Sequence, residues 1–186
     1  MPRRDVKTEM IRGAGDLLAS HGVHGASFAL VLDKTGAPRG SIYHHFPGGK
    51  TELVQAAVLA VGAAVTSLID AIDADSPTDV VSTFVEGWRA ALNGGQFERG
   101  CAVAAASNGA TDDPAIRAAA NEVFTSWRRS LARAFVRAGV DDAEAHDAAT
   151  LCIAAAEGAL VLGRAARSDE AFDVLARQLP KLVSRG

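Results

Sequence analysis

Apolar residues recur at helical spacing through almost the whole chain, and no stretch alternates apolar with polar as a half-buried strand would. Glycine, proline and aspartate or asparagine break that pattern at regular intervals. The expected fold class is therefore all-α, with about nine helices. Val6, Met10, Ala14, Leu17 and Leu18 mark a first helix that Gly22 stops after His21. Ser27 suits the N-cap of a short second helix that turns Phe28, Val31 and Leu32 inward and ends at Thr35-Gly36. Pro38 opens a third short helix, as its missing N–H is no loss in a first turn. Pro47-Gly48-Gly49 ends that helix and releases a long fourth one from about Lys50 to Asp73.

The remaining punctuation is as regular. Ser76-Pro77 opens a helix that closes at Asn93-Gly94-Gly95, and an alanine-rich piece ends at Asn108-Gly109. Asp113-Pro114 opens a long helix stopped by Gly139, Asp141 or Asp142 caps the next as far as about Ala166, and Ser168 caps the last. Glu170 stands in the first turn of that last helix, where the helix dipole favours an acid. No repeat, low-complexity tract or flexible linker intervenes, so the fourth helix is expected to join two domains rigidly, residues 1–50 and 51–186.

With 186 residues, 48% of them apolar and 22% charged, the chain is an ordinary globular protein large enough to bury a core. No run of apolar residues reaches the ~18 that a membrane span requires, and "MPRRDVKTEM" lacks the apolar core of a signal peptide. A cytoplasmic protein without membrane contact is the expectation. Cys101 and Cys152 are too few and too far apart for a disulfide framework or a CxxC zinc site, and read as small apolar side chains.

The net charge of −3 divides unevenly. Residues 1–50 hold seven Lys/Arg (Arg3, Arg4, Lys7, Arg12, Lys34, Arg39, Lys50) against four acids (Asp5, Glu9, Asp16, Asp33), a balance of +3 that leaves −6 for the rest. A small basic head on an acidic body points to a polyanion as the partner of the head.

The stretch "GAPRGSIYHHFPGGK", residues 36–50, carries the chemistry of that head. Two short helices joined by a glycine-containing turn and preceded by a longer helix describe a helix-turn-helix unit. Its second helix would present Arg39, Gly40, Ser41, Tyr43 and His44 to a DNA major groove, with Ile42 and Phe46 packed behind. A side chain in place of Gly40 would hold that helix off the duplex. Lys50, in the first turn of the next helix, combines a cation with backbone N–H groups that suit a phosphate. Other readings have less support. His44 and His45 stand about 100° apart around a helix, which disfavours a shared metal. "GGKT" supplies only the tail of a P-loop, and no strand precedes it. A purely structural hairpin stays open.

From Thr8 to Val54 the sequence "TEMIRGAGDLLASHGVHGASFALVLDKTGAPRGSIYHHFPGGKTELV" resembles the DNA-binding head of TetR-family transcriptional repressors. The "YHHFPGGK" form and "RGCAVA", Arg99 to Ala104, are similar to the LmrA/YxaF-like subgroup. The resemblance implies that Arg39, Gly40, Ser41, Tyr43 and His44 meet bases and phosphates, that Lys50 holds a phosphate, and that Ser27 is a phosphate-contacting cap. Pro38 departs from the family's usual Ser or Thr cap, and "VLDKTG" from its alanines, so Asp33 and Lys34 are expected to alter operator preference or affinity.

In the body, Ala148, Leu151, Ala155, Gly158 and Leu162 lie on or near one face of the penultimate helix, and Phe172, Leu175, Leu179 and Leu182 on the last. Core packing explains both stripes, and the family's four-helix dimer bundle favours an interface. Phe84, Trp88, Phe97, Phe124 and Trp127 are core aromatics or the wall of a ligand pocket near Cys101. Asn108, Asn121 and Glu157 would orient a ligand there. The expected function is a homodimeric repressor of a palindromic double-stranded DNA operator, released by a small apolar or aromatic effector. Alternatives are an activator of the same fold, or an α-helical small-molecule-binding protein or enzyme without DNA binding. Against an enzyme, Cys101 has no sequence-evident histidine partner and His146 sits among acids. No cofactor and no metal are implied.

Overall fold

The computed structural model of the chain describes residues 5–109 and 112–183, all of whose regular structure is helical. In chain order the helices are α1 (Val6–Gly25), α2 (Phe28–Thr35), α3 (Arg39–His45), α4 (Gly49–Asp70), α5 (Pro77–Gly94), α6 (Ala102–Gly109), α7 (Pro114–Arg137), α8 (Asp142–Ala166) and α9 (Glu170–Val183). Arg3 and Arg4 of the basic head lie outside the described residues. By compactness the chain forms two units, residues 1–63 with 101–124 and residues 64–100 with 125–186. That grouping differs from a division at residue 50, because α6 and the start of α7 pack with the N-terminal helices.

In the first unit, Asp5 caps α1: the Thr8 hydroxyl and N–H hold its carboxyl below the ordinary carboxylate range. Gly22, at φ 69°, breaks α1 near its end. Met10, Leu18, Val31, Ile42, Phe46 and Leu53 are fully or almost fully buried, each contributing about 1.5–3 kcal/mol. A Cβ on Gly13 would stand 2.6 Å from Thr35 Cγ2, so only glycine lets α1 and α2 approach this closely. The Thr51 hydroxyl donates to the Asp113 carboxylate at 2.7 Å, and the Gln55 amide to the Ala115 carbonyl at 3.2 Å, tying α4 to the start of α7.

In the second unit, α5, α8 and α9 pack on one another. Trp127, Leu131 and Phe135 of α7 are buried, as are Leu92 of α5 and Cys152, Ala156 and Leu160 of α8. Burial pushes the Cys152 thiol up to about 12. Arg89 fastens α9 to α5, its guanidinium lying 2.8 Å from Asp173 and 3.5 Å from Asp169.

Two sequence expectations change. Pro38 is the N-cap of α3, not its first helical residue, and has no side chain to cap with. Phe172 and Leu179 of the proposed interface stripe are 0% and 3% exposed, because α9 turns that face onto α5 and α8. By length and mean hydropathy α4 and α8 could each cross a membrane, although neither contains an unbroken apolar run of that length. Both bury one side in the protein, through Leu53, Val54, Ala57 and Val58 in α4 and Ala149, Cys152, Ile153 and Ala156 in α8.

Candidate nucleic-acid interface

The head's turn is built by local chemistry. Ser27 caps α2 by accepting the Leu30 N–H at 3.3 Å. Gly36 ends α2 in the left-handed conformation (φ 64°), its N–H donating to the Leu32 carbonyl at 2.9 Å. α3 follows after two residues and is seven residues long, about two turns. Ile42 and Phe46 anchor it in the core, which leaves Arg39, Gly40, Tyr43 and His44 outward. Tyr43 is 70% exposed. A Cβ on Gly40 would meet no atom of the described residues within 4 Å, so their packing does not require this glycine.

Ser41 is half-buried, and its hydroxyl donates to the Pro38 carbonyl at 2.6 Å. Its proton is thus used within α3, which leaves its oxygen to accept. The rings of His44 and His45 meet edge to face, 5.4 Å between centroids. Among the described residues no three His, Cys, Asp or Glu gather as a metal shell. At the corner, Gly49 takes φ 77°, and Glu52 accepts the Gly48 N–H at 2.7 Å. One backbone donor close to Lys50 is therefore satisfied internally. Lys34 pairs with Asp16 at 3.4 Å, whereas Asp33 lines the same surface cleft as Arg39 and Tyr43.

In the second unit, Phe84, Trp88 and Trp127 form a chain of edge-to-face contacts at 6.0 and 5.8 Å. Phe84 and Trp88 also line an apolar groove of about 300 Å³ with Leu68, Ile69, Thr83 and Gly87. On α8, Leu151, Gly158, Val161 and Leu162 are exposed, Leu162 to 63%.

Residues 10–57 match the N-terminal domain of bacterial regulatory proteins of the tetR family, and residues 77–178 the C-terminal domain of LmrA/YxaF-like transcriptional regulators. An uncharacterised HTH-type transcriptional regulator of Mycobacterium tuberculosis is 34% identical over 184 residues, covering 95% of this chain and 93% of its own. The chain belongs to the TetR family. The LmrA regulator of Bacillus subtilis is 25% identical over 97% of this chain and 98% of its own. In fold, the chain is similar to a TetR regulator from Legionella pneumophila, with a TM-score of 0.83 at 20% identity over 98% of this chain and 99% of that one. A regulator from Rhodobacter sphaeroides gives 0.81 at 22%, over 94% and 96%.

This TetR-family chain is thus a transcriptional regulator with a DNA-binding helix-turn-helix, and not an enzyme. The structure brings Arg39, Gly40, Tyr43 and His44 onto one short helix, flanked in sequence by Ser27 and Lys50 at helix starts. It divides the other predicted residues. Cys101, Asn108, Asn121 and Phe124 belong to the first unit, and Phe84, Trp88, Phe97, Trp127 and Glu157 to the second. Asn108 and Asn121 are exposed, because each falls on the outward side of its helix. Phe97 sits in the loop after α5 in a left-handed conformation (φ 63°), and Glu157 is half-buried in α8. Sequence reasoning missed Leu68, Ile69, Thr83 and Gly87 of the groove. Gly87, a glycine inside a helix, was the available signal. Val161 was missed for another reason, since it lies beside the stripe of small residues.

Proposed function

We propose that this TetR-family regulator is a cytoplasmic repressor that binds a palindromic operator as a homodimer and is released by a small apolar effector. The observation that carries the reading is the α3 face, where Tyr43 is 70% exposed beside Arg39, Gly40 and His44 while Ile42 and Phe46 hold the helix in place. A two-turn helix reads few base pairs, so affinity and specificity come from pairing two heads on half-sites ~34 Å apart.

The exposed side of α8 supports the dimer. A Cβ on Gly158 would meet nothing within 4 Å, although a mid-helix glycine costs about 1 kcal/mol relative to alanine. A partner helix approaching closely gives that glycine a purpose. On α8, Leu151, Ala155, Gly158 and Leu162 form this surface; on α9, the half-buried Leu175 and the exposed Val174 and Leu182 extend it. Phe172 and Leu179 support it from within.

Among the described residues, the lining of the groove bounded by Phe84 and Trp88 is apolar apart from the Thr83 hydroxyl and the Trp88 indole and holds no charged side chain, which suits a neutral aromatic or aliphatic molecule. Such a ligand releases DNA only by binding more tightly to the conformer that cannot seat both heads on the operator.

Fluorescence anisotropy with a labelled duplex, selected by the protein from a randomised pool, tests the reading. Binding should weaken steeply as salt rises. Undetectable binding in low salt, or affinity indifferent to salt, would overturn it. A reporter driven by the same duplex should be more active when the protein's gene is deleted; lower activity would make the protein an activator.

A further inference from the structure

We infer that Phe28 is a positioning residue for DNA recognition: its ring holds the Tyr43 side chain in the orientation in which it meets the duplex. The inference rests on the proposed role of the α3 face. Ile42 and Phe46 fix the helix but point away from the duplex side, so they do not restrain the exposed ring of Tyr43. Phe28 does. The two rings stand 5.4 Å apart with planes inclined at 75°, within the ~4.5–7 Å range that edge-to-face aromatic pairs prefer.

The support is itself well fixed. Phe28 is the first residue of α2, directly after the Ser27 cap, whose bond to the Leu30 N–H sets the backbone from which the ring projects. The head's buried core, with Met10, Leu18, Val31, Ile42 and Phe46, is closed without Phe28, which is only half-buried. Both rings line the cleft that Arg39 and Asp33 also border, so the contact spans the two helices of the motif at the surface the duplex would cover. An unsupported tyrosine this exposed loses rotamer freedom when DNA binds, and a neighbour that orders it beforehand removes that cost.

The test is a double-mutant cycle read by anisotropy on the selected duplex, with full-length protein. Phe28→Leu keeps the bulk and removes the aromatic edge. It should weaken binding about two- to tenfold, the range expected for one aromatic pair, and should weaken it no further when Tyr43→Ala is already present. Phe28→Tyr, which keeps the ring, should restore binding. Because the chain has one tyrosine, 3-fluorotyrosine labelling gives a single ¹⁹F resonance; Phe28→Leu should shift it in the free protein, and Phe28→Tyr should largely leave it in place once the second labelled position is assigned.

Equal losses from Phe28→Leu in both backgrounds would overturn the inference, as Phe28 would then act on DNA or on the fold by itself. So would an unmoved resonance. If Tyr43→Ala weakens binding and Phe28→Leu does not, the positioning role alone fails. If Tyr43→Ala changes nothing, the assignment of the α3 face fails and takes the inference with it.

Discussion

The exposed faces of α3 and α8 are built from opposite materials. On α3, Arg39, Gly40, Tyr43 and His44 stand outward, polar or aromatic and free of aliphatic bulk; on α8, Leu151, Val161 and Leu162 stand outward around Gly158. The first face suits a hydrated polyanion, and the second a dry partner surface. The two should therefore respond oppositely to salt: DNA binding should fall as ions compete, whereas association through α8 should hold or tighten.

The largest expected effect comes from breaking the apolar face. Leu162→Arg places a charge where the partner helix would pack, so analytical ultracentrifugation should find monomers, and operator affinity should fall by about a hundredfold or more as the second head's contribution is lost. A dimer that survives this change would remove α8 from the interface. Next come Tyr43→Ala and Lys50→Ala, each expected to weaken operator binding about tenfold with the helical circular dichroism unchanged. Lys50→Ala should also make the salt dependence shallower, since one phosphate contact is gone.

Gly87→Ala sharpens the comparison within the second unit. A Cβ there meets nothing within 4 Å, yet it would enter the groove beside Trp88. The variant should gain up to about 1 kcal/mol of thermal stability. It should also bind a neutral probe such as N-phenyl-1-naphthylamine a few-fold less tightly, read from quenching of tryptophan emission. Unaltered probe binding would free the groove of its role.

The smallest effect concerns the two cysteines. Burial raises the Cys152 thiol to about 12, so at pH 8 it stays protonated and iodoacetamide should spare it. Its labelling should rise only as the pH approaches that value or as the protein unfolds. Cys101, half-buried before α6, should label first in the native protein, as peptide mass mapping would show.

The head was the more legible half. The turn needs a left-handed residue, which Gly36 allows, the start of α2 needs a cap oxygen, which Ser27 supplies, and the core needs apolar side chains, which Ile42 and Phe46 provide; each demand acts over a few residues, and the sequence displays all of them together. The body was legible as helices and not as surfaces. Phe172 and Leu179 share the spacing of an interface stripe, yet they face α5 and α8, whereas Leu68 and Val161 stand in the open.

Sequence alone therefore determined the helical class, most of the breaks between helices, the helix-turn-helix and the residues offered on α3, because caps, breakers and 3.6-residue periodicity are local. Tertiary structure alone decided which apolar residues of α8 and α9 remain uncovered, and that α6 and the start of α7 pack with the N-terminal helices. Periodicity says that a helix has an apolar side; it does not say how many neighbours compete to cover it, and that is settled only when all the helices pack at once.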